Sequence, residues 1–136
     1  LKVGKALESL RDEGVLVLGS GFTFHNMRAF FNPSKSTHVA SRDFNQWLKE
    51  TLLMNDDGKV VEEKLLNWKN APGALLCHPR EEHLLPLFMT AAAGGIVSDQ
   101  CSSNSSKPEL IYSTLNDMAM DGVEADGHAV TGYLFR

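Results

Sequence analysis

Five histidines and two cysteines carry most of the reactive chemistry available to this 136-residue chain, and their spacing limits what each can do. His25 lies four residues beyond a Gly19-Ser20-Gly21 stretch, in GSGFTFHNMR, directly after the apolar run VLVL. An imidazole titrates near neutral pH, so one aimed into a cleft can move a proton, whereas one packed against neighbours is only a hydrogen-bonding core residue. Spacing alone leaves both readings open. His78 and His83 bracket the segment HPREEH. Five positions on a regular helix separate two side chains by about 140°, so this is not HExxH, where a four-residue spacing puts two metal ligands on one face. Pro79 permits an irregular path on which both could serve one metal, and Glu82 offers a carboxylate as the alternative ligand. The plainer reading, which spacing alone favours, is a pair of helix-capping acids beside a surface histidine. Cys77 precedes His78, but strand neighbours point to opposite faces, so Cys77 reads as a buried small hydrophobe rather than a nucleophile. His38 and His128 read as exposed structural histidines.

The elements that must position these groups follow from periodicity. Val3, Ala6, Leu7 and Leu10 recur at helical spacing over Val3–Glu13, with Gly14 as the stop. Val15-Leu16-Val17-Leu18, bounded by glycines, predicts a strand buried on both faces, hence a parallel-type sheet in an α/β layer. The carboxyl edge of such a sheet is where ligands bind, which is where His25 falls. The glycine stretch itself is no nucleotide fingerprint: GxGxxG would need glycine at Phe24, no Lys-Ser/Thr follows for a P-loop, and Leu18 stands where GxSxG needs its first glycine. A helix is predicted over Ser41–Met54, with Phe44, Trp47, Leu48 and Leu52 inward and Ser41 as its cap. A second runs from Lys59 to Trp68 and is broken at Ala71-Pro72-Gly73. Ala74–Cys77 reads as a buried extended run. Pro79 with Glu81 and Glu82 fits a helix start, and Pro86 either kinks that helix or marks its true first turn. Ser98–Pro108 reads as a polar loop, and Glu109–Thr114 and His128–Phe135 as strands.

Composition excludes several classes. A net charge of −4, from 13 basic against 17 acidic residues without like-charge blocks, argues against a nucleic-acid surface. Cys77 and Cys101 form no CxxC pair and suit a reduced cytoplasmic protein. The longest uncharged apolar stretch, Leu84 to Val97, contains Pro86 and Gly94-Gly95 and is too short to span a bilayer, so no membrane partner is expected. The opening residues are amphipathic, unlike a signal peptide. The chain starts at Leu1 rather than methionine and is expected to be a piece of something longer.

GSGFTFHNMR, then RDFNQWL, then APGALLCHPREEHLLPLFMTAAAGG, in this order and spacing, resemble the LigB-like class III extradiol ring-cleavage dioxygenases, in their single-chain 4,5-DOPA branch. The likeness covers most of residues 10–95. It implies an α/β domain, a layered sheet with flanking helices, of which residues 1–136 would be the C-terminal portion. It implies cleavage of a catechol-type ring with O2 by a non-haem metal, Fe(II) with Zn(II) as the alternative occupant, held by three protein ligands. By resemblance His25 matches the acid/base histidine and His83 the third metal ligand, with Glu82 a weaker ligand candidate. Asn26 and His78 would lie on the substrate side. The other two ligand histidines belong to the family's N-terminal half and have no counterpart here, so the missing half or self-association is expected. Two alternatives stand beside this reading: a non-catalytic α/β remnant acting as a structural or partner-binding module, and a zinc-dependent hydrolase built on His78 and His83.

Overall fold

Ser34 starts the longest helix. Its hydroxyl accepts from the Thr37 amide at 3.2 Å while the Thr37 hydroxyl accepts from the Ser34 amide at 3.0 Å, a reciprocal capping box. Helix α3 then runs Lys35–Leu53, six residues earlier than the periodicity suggested. Ser41 is therefore not a cap but a fully buried mid-helix residue. The polar first two turns hid the true start, because the apolar stripe begins only where the helix meets the core. From there Phe44, Leu48 and Leu52 are buried as expected, each contributing about 1.5–3 kcal/mol of apolar burial.

The computed structural model describes residues 1–97, 108–113 and 128–135. The loop expected from Ser98, with Cys101 inside it, and the end of the first expected strand at Thr114 lie outside these. Helix α1 (Lys2–Leu7) continues as a 3-10 turn to Arg11 and ends at Gly14, whose φ of 75° is the left-handed conformation expected of a glycine stop. Its inward face is not the Val3 side, which is exposed, but Gly4, which packs on helix α6 (Leu85–Ala93) so closely that a Cβ there would strike the Met89 carbonyl. Helix α2 is Met27–Phe31 and α4 is Gly58–Leu66, the latter capped by Asp57, which accepts from Lys59 N at 2.9 Å. Of the apolar positions Val60, Val61, Leu65 and Trp68 expected inward, the last three are buried and Val60 is exposed, one position off the buried face. Lys5 reaches Glu62 at 2.8 Å and ties α1 to α4.

Ala74–Cys77 is a short helix, α5, rather than an extended run. Short apolar runs do not declare their type by periodicity, and Ala-Leu-Leu are good helix formers. Leu75 and Leu76 are exposed. Residues 78–84 turn irregularly, and α6 begins with Pro86 in its first turn, so Pro79 does not start the helix. Strands β1 (Glu109–Ser113) and β2 (Thr131–Leu134) form an antiparallel pair, Glu109 opposite Leu134 and Ser113 opposite Thr131.

The chain is thus mixed α/β, mainly helical, with one two-stranded sheet among the described residues. The parallel strand expected at Val15–Leu18 takes a different form. Those residues join no ladder among the described residues, and Leu16 and Leu18 are 78% and 82% exposed. A strand buried on both faces needs a hydrogen-bonded neighbour and a layer on each side, and the described residues supply a layer on one side only. Among the described residues no helix is long and apolar enough to cross a membrane.

Candidate active site

The GSG stretch is not a tight turn. Gly19 and Gly21 are extended residues lying against the start of α6, where a Cβ on Gly19 would come within 2.7 Å of Thr90 Cγ2 and 2.9 Å of the Pro86 carbonyl oxygen, and one on Gly21 would collide with the His83 carbonyl. Close approach, not φ, requires glycine here. It lets Phe22 N donate to the His83 carbonyl at 3.0 Å and His25 N to the Cys77 carbonyl at 2.9 Å, lacing segment 21–25 to segment 77–83.

That lacing brings the two imidazoles of the sequence motifs face to face. The rings of His25 and His83 stack with centroids 3.6 Å apart and planes 26° from parallel. Both are half-buried, and His83 opens onto a groove of about 320 Å³ walled by Leu16, Phe22, Leu87, Thr90 and Tyr133. No gap for an aromatic substrate separates the rings: 3.6 Å is van der Waals contact.

The neighbouring candidates are placed differently. Asn26 is a structural strut: its carbonyl oxygen accepts from Ala29 N at 3.0 Å, capping α2, and its amide donates to the Leu76 carbonyl at 2.7 Å. With its oxygen and one amide hydrogen engaged, it keeps one side-chain N–H beyond these two bonds. His78 is fully buried, its ring 5.5 Å from Phe44 and 6.2 Å from Trp68, so it does not face the groove. Neither ring nitrogen has a hydrogen-bond partner of good geometry among the described residues. Burial pulls its pKa down to about 4, aided by the nearby His25 and His83 and only partly offset by the Thr23 backbone and Glu82, so His78 is neutral at pH 7. Burial, followed by the charge of Asp43, pushes the Cys77 thiol up to about 12, which makes it the inert small hydrophobe expected.

His38 and His128 are not exposed. His128 stacks on Phe24 at 3.8 Å and meets His38 edge-on at 5.0 Å, and the Nε2 atoms of both are buried without a partner among the described residues. Burial, then His38, lowers the His128 pKa. A polar clamp holds this tail in place. The Ser41 hydroxyl accepts from Ala129 N at 2.6 Å, Asn45 donates to the Ala129 carbonyl at 2.8 Å, and the Thr131 hydroxyl donates to Asn45 Oδ1 at 2.8 Å. Thr131 N donates to the Thr23 hydroxyl at 3.0 Å, two residues from His25. Nothing in the local pattern around Ser41 or Asn45 marks these residues, since their partners lie more than eighty positions away.

Among the described residues no group of three or more His, Cys, Asp or Glu side chains is arranged to hold a metal. Stacked imidazoles cannot share an ion either, because each ring's lone pair lies in its own plane and the planes are nearly parallel. The described residues therefore do not by themselves fit a three-ligand iron or zinc centre.

No family model matches the chain. It is 38% identical over 119 residues to the 4,5-DOPA dioxygenase extradiol of Portulaca grandiflora, covering 82% of this chain and 37% of that protein. It is 38% identical over 118 residues to the protein of the same name from Beta vulgaris, covering 83% and 38%, and 32% identical over 93 residues to that of Escherichia coli K12, covering 68% and 34%. The chain thus spans little more than a third of the length of these relatives. In fold it is similar to the crystal structure of an uncharacterized protein from Escherichia coli K12, with a TM-score of 0.67 and 23% identity over 97% of this chain and 47% of that one. By these sequence matches the chain belongs, as a segment, with the LigB-like extradiol dioxygenases of the 4,5-DOPA type.

Proposed function

We propose that this chain is the C-terminal portion of an enzyme that cleaves a catechol-type, DOPA-like ring beside its diol with O2. The observation that carries the reading is the His25–His83 contact, in which two motifs far apart in sequence bring their imidazoles together, with His83 lining the groove. His83 serves as a metal ligand, with the remaining ligands coming from outside the described residues. Fe(II) would suit the oxygen chemistry, with Zn(II) the alternative occupant; when bound it would supply a Lewis acid for the diol. His25 is the acid/base: its ring lies against that of His83, so it can take a proton from a catechol hydroxyl and later return one. The 3.6 Å stack must open to admit a ring between the two imidazoles. Asn26 acts on substrate only indirectly, by fixing the backbone next to His25. The protein works in the cytoplasm.

The test uses the 136-residue chain assembled with the complementary part of a relative, loaded with Fe(II) anaerobically and assayed by oxygen uptake with a catechol. His25→Ala should keep its metal and lose about 10²–10⁴-fold in turnover, whereas His83→Ala should lose its metal. Iron loss in His25→Ala, or full metal in His83→Ala, would overturn the two roles. The stacked rings, which leave no room for a substrate between them, favour one second reading, a non-catalytic module; full assembly without metal uptake or turnover would select it.

A further inference from the structure

One face of helix α3 meets the tail of the chain as a ladder of polar contacts. His38, Ser41 and Asn45 follow one another at three- and four-residue spacing, which puts all three on one side of the helix. Opposite them lie His128, Ala129 and Thr131. The lower rungs are closed by hydrogen bonds: Ala129 N donates to the Ser41 hydroxyl at 2.6 Å, Asn45 to the Ala129 carbonyl at 2.8 Å, and the Thr131 hydroxyl to Asn45 Oδ1 at 2.8 Å. The top rung is not closed. His38 and His128 stand edge-on with ring centroids 5.0 Å apart, and the Nε2 atom of each is buried with no hydrogen-bond partner among the described residues. A buried polar atom without a partner is costly and calls for an occupant. Here there are two such atoms, on facing elements, and both are of a kind that ligates metals.

We propose that His38 and His128 form a metal site of their own, a two-imidazole clip in which a divalent transition ion (Zn(II), Ni(II) or Cu(II)) pins the tail to α3. Imidazole nitrogen suits these ions. With metal–nitrogen bonds of about 2.0–2.1 Å and a tetrahedral angle between them, two ligating rings have centroids about 5 Å apart, which is the separation found. Rotation of either ring about its Cβ–Cγ bond turns its Nε2 toward the neighbour without moving the backbone. Burial, then His38, holds the His128 pKa below its ordinary value, so its ring is neutral at pH 7, as a ligand must be. An ion here fixes His128 where it already stacks on Phe24 at 3.8 Å, and Phe24 adjoins His25. Two protein ligands leave the rest of the coordination sphere to water, so the ion comes and goes. The competing occupant is a single water, which could bridge both nitrogens but would respond to no metal. The inference uses no part of the dioxygenase reading, and its readout needs no activity.

The experiment titrates Ni(II), and separately Zn(II), into the 136-residue chain and into its His83→Ala variant, which removes the ligand assigned to the catalytic metal. Ni(II) is paramagnetic and should broaden the Cε1 protons of His38 and His128 together, in both proteins. Zn(II) in excess should raise the melting temperature of both by a few degrees, as any ligand selective for the folded state does. His38→Ala and His128→Phe should each weaken binding by at least about tenfold. The phenylalanine keeps an aromatic ring against Phe24, and circular dichroism checks that both variants fold. Absence of broadening at the two rings would refute the proposal and leave the water as occupant. Broadening of one ring alone, the mark of an isolated histidine, would also overturn it. So would binding that survives both substitutions, or binding in the wild type that disappears in His83→Ala.

Discussion

Replacing His78 with phenylalanine should remove a large part of the chain's sensitivity to mild acid. In the folded state the imidazole sits at about pKa 4 against an ordinary 6.5, chiefly because burial between Phe44 and Trp68 opposes its charge. The sign follows from proton uptake. Above pH 6.5 neither state holds the proton and the residue has no pH effect. Between 6.5 and about 4 the unfolded chain takes up a proton that the folded chain refuses, so stability falls with pH across that window and levels off below it. At 1.36 kcal/mol per unit the full loss is about 3 kcal/mol, a substantial share of the 5–15 kcal/mol typical of a domain. His128, also lowered, adds to the acid sensitivity in the same direction, so the informative quantity is the difference between wild type and His78→Phe. Urea titrations at steps from pH 7.5 to 4 should show wild type losing about 3 kcal/mol more than the variant. The His78 Cε1 proton should stay unshifted in NMR spectra down to pH 5. Parallel stability profiles for the two proteins, or a folded-state His78 titration near 6.5, would refute the reasoning.

Two further outcomes follow from packing. Cys77, buried and with its thiol pushed up to about 12, should resist a thiol reagent at pH 8 in the folded chain and react on denaturation; rapid labelling under native conditions would contradict its placement. Gly21→Ala puts a methyl into the His83 carbonyl and should cost about 1–3 kcal/mol, with loss of the ring-current shifts of the His25–His83 stack. Gly14→Ala, whose added Cβ meets nothing within 4 Å, should cost only the strain of its φ of 75° and leave those shifts unchanged.

The helices were legible where an apolar stripe met the core, as at Phe44, Leu48 and Leu52 or at Val61 and Leu65. They were misplaced where the deciding contact was polar or local, as with the Ser34–Thr37 capping box. Val15–Leu18 was read as a strand buried on both faces, but pairing and burial depend on neighbours that no local pattern reveals, and here it forms no strand and is largely exposed. The pairing of His25 with His83 was reachable only through the motif resemblance, since spacing could not say that the two backbones are laced together. Sequence shows that a polar residue is near a site, but not that its oxygen and one amide hydrogen brace the backbone, as in Asn26, or that its ring is turned into the core, as in His78.

The clamp of Ser41, Asn45 and Thr23 on residues 129–131 spans 84 to 108 positions of chain. Such contacts carry the greatest loop-closure cost in the molecule, whereas the helices close over a few residues each. The expected order of assembly follows that cost: the helical body forms before the tail arrives, and β2 docks onto it afterwards. A contact made after the transition state governs how long the native state lasts rather than how fast it appears. The clamp is in that sense a timing element, whose polar bonds determine the residence time of the segment that keeps Thr23, and with it the backbone leading into His25, in place.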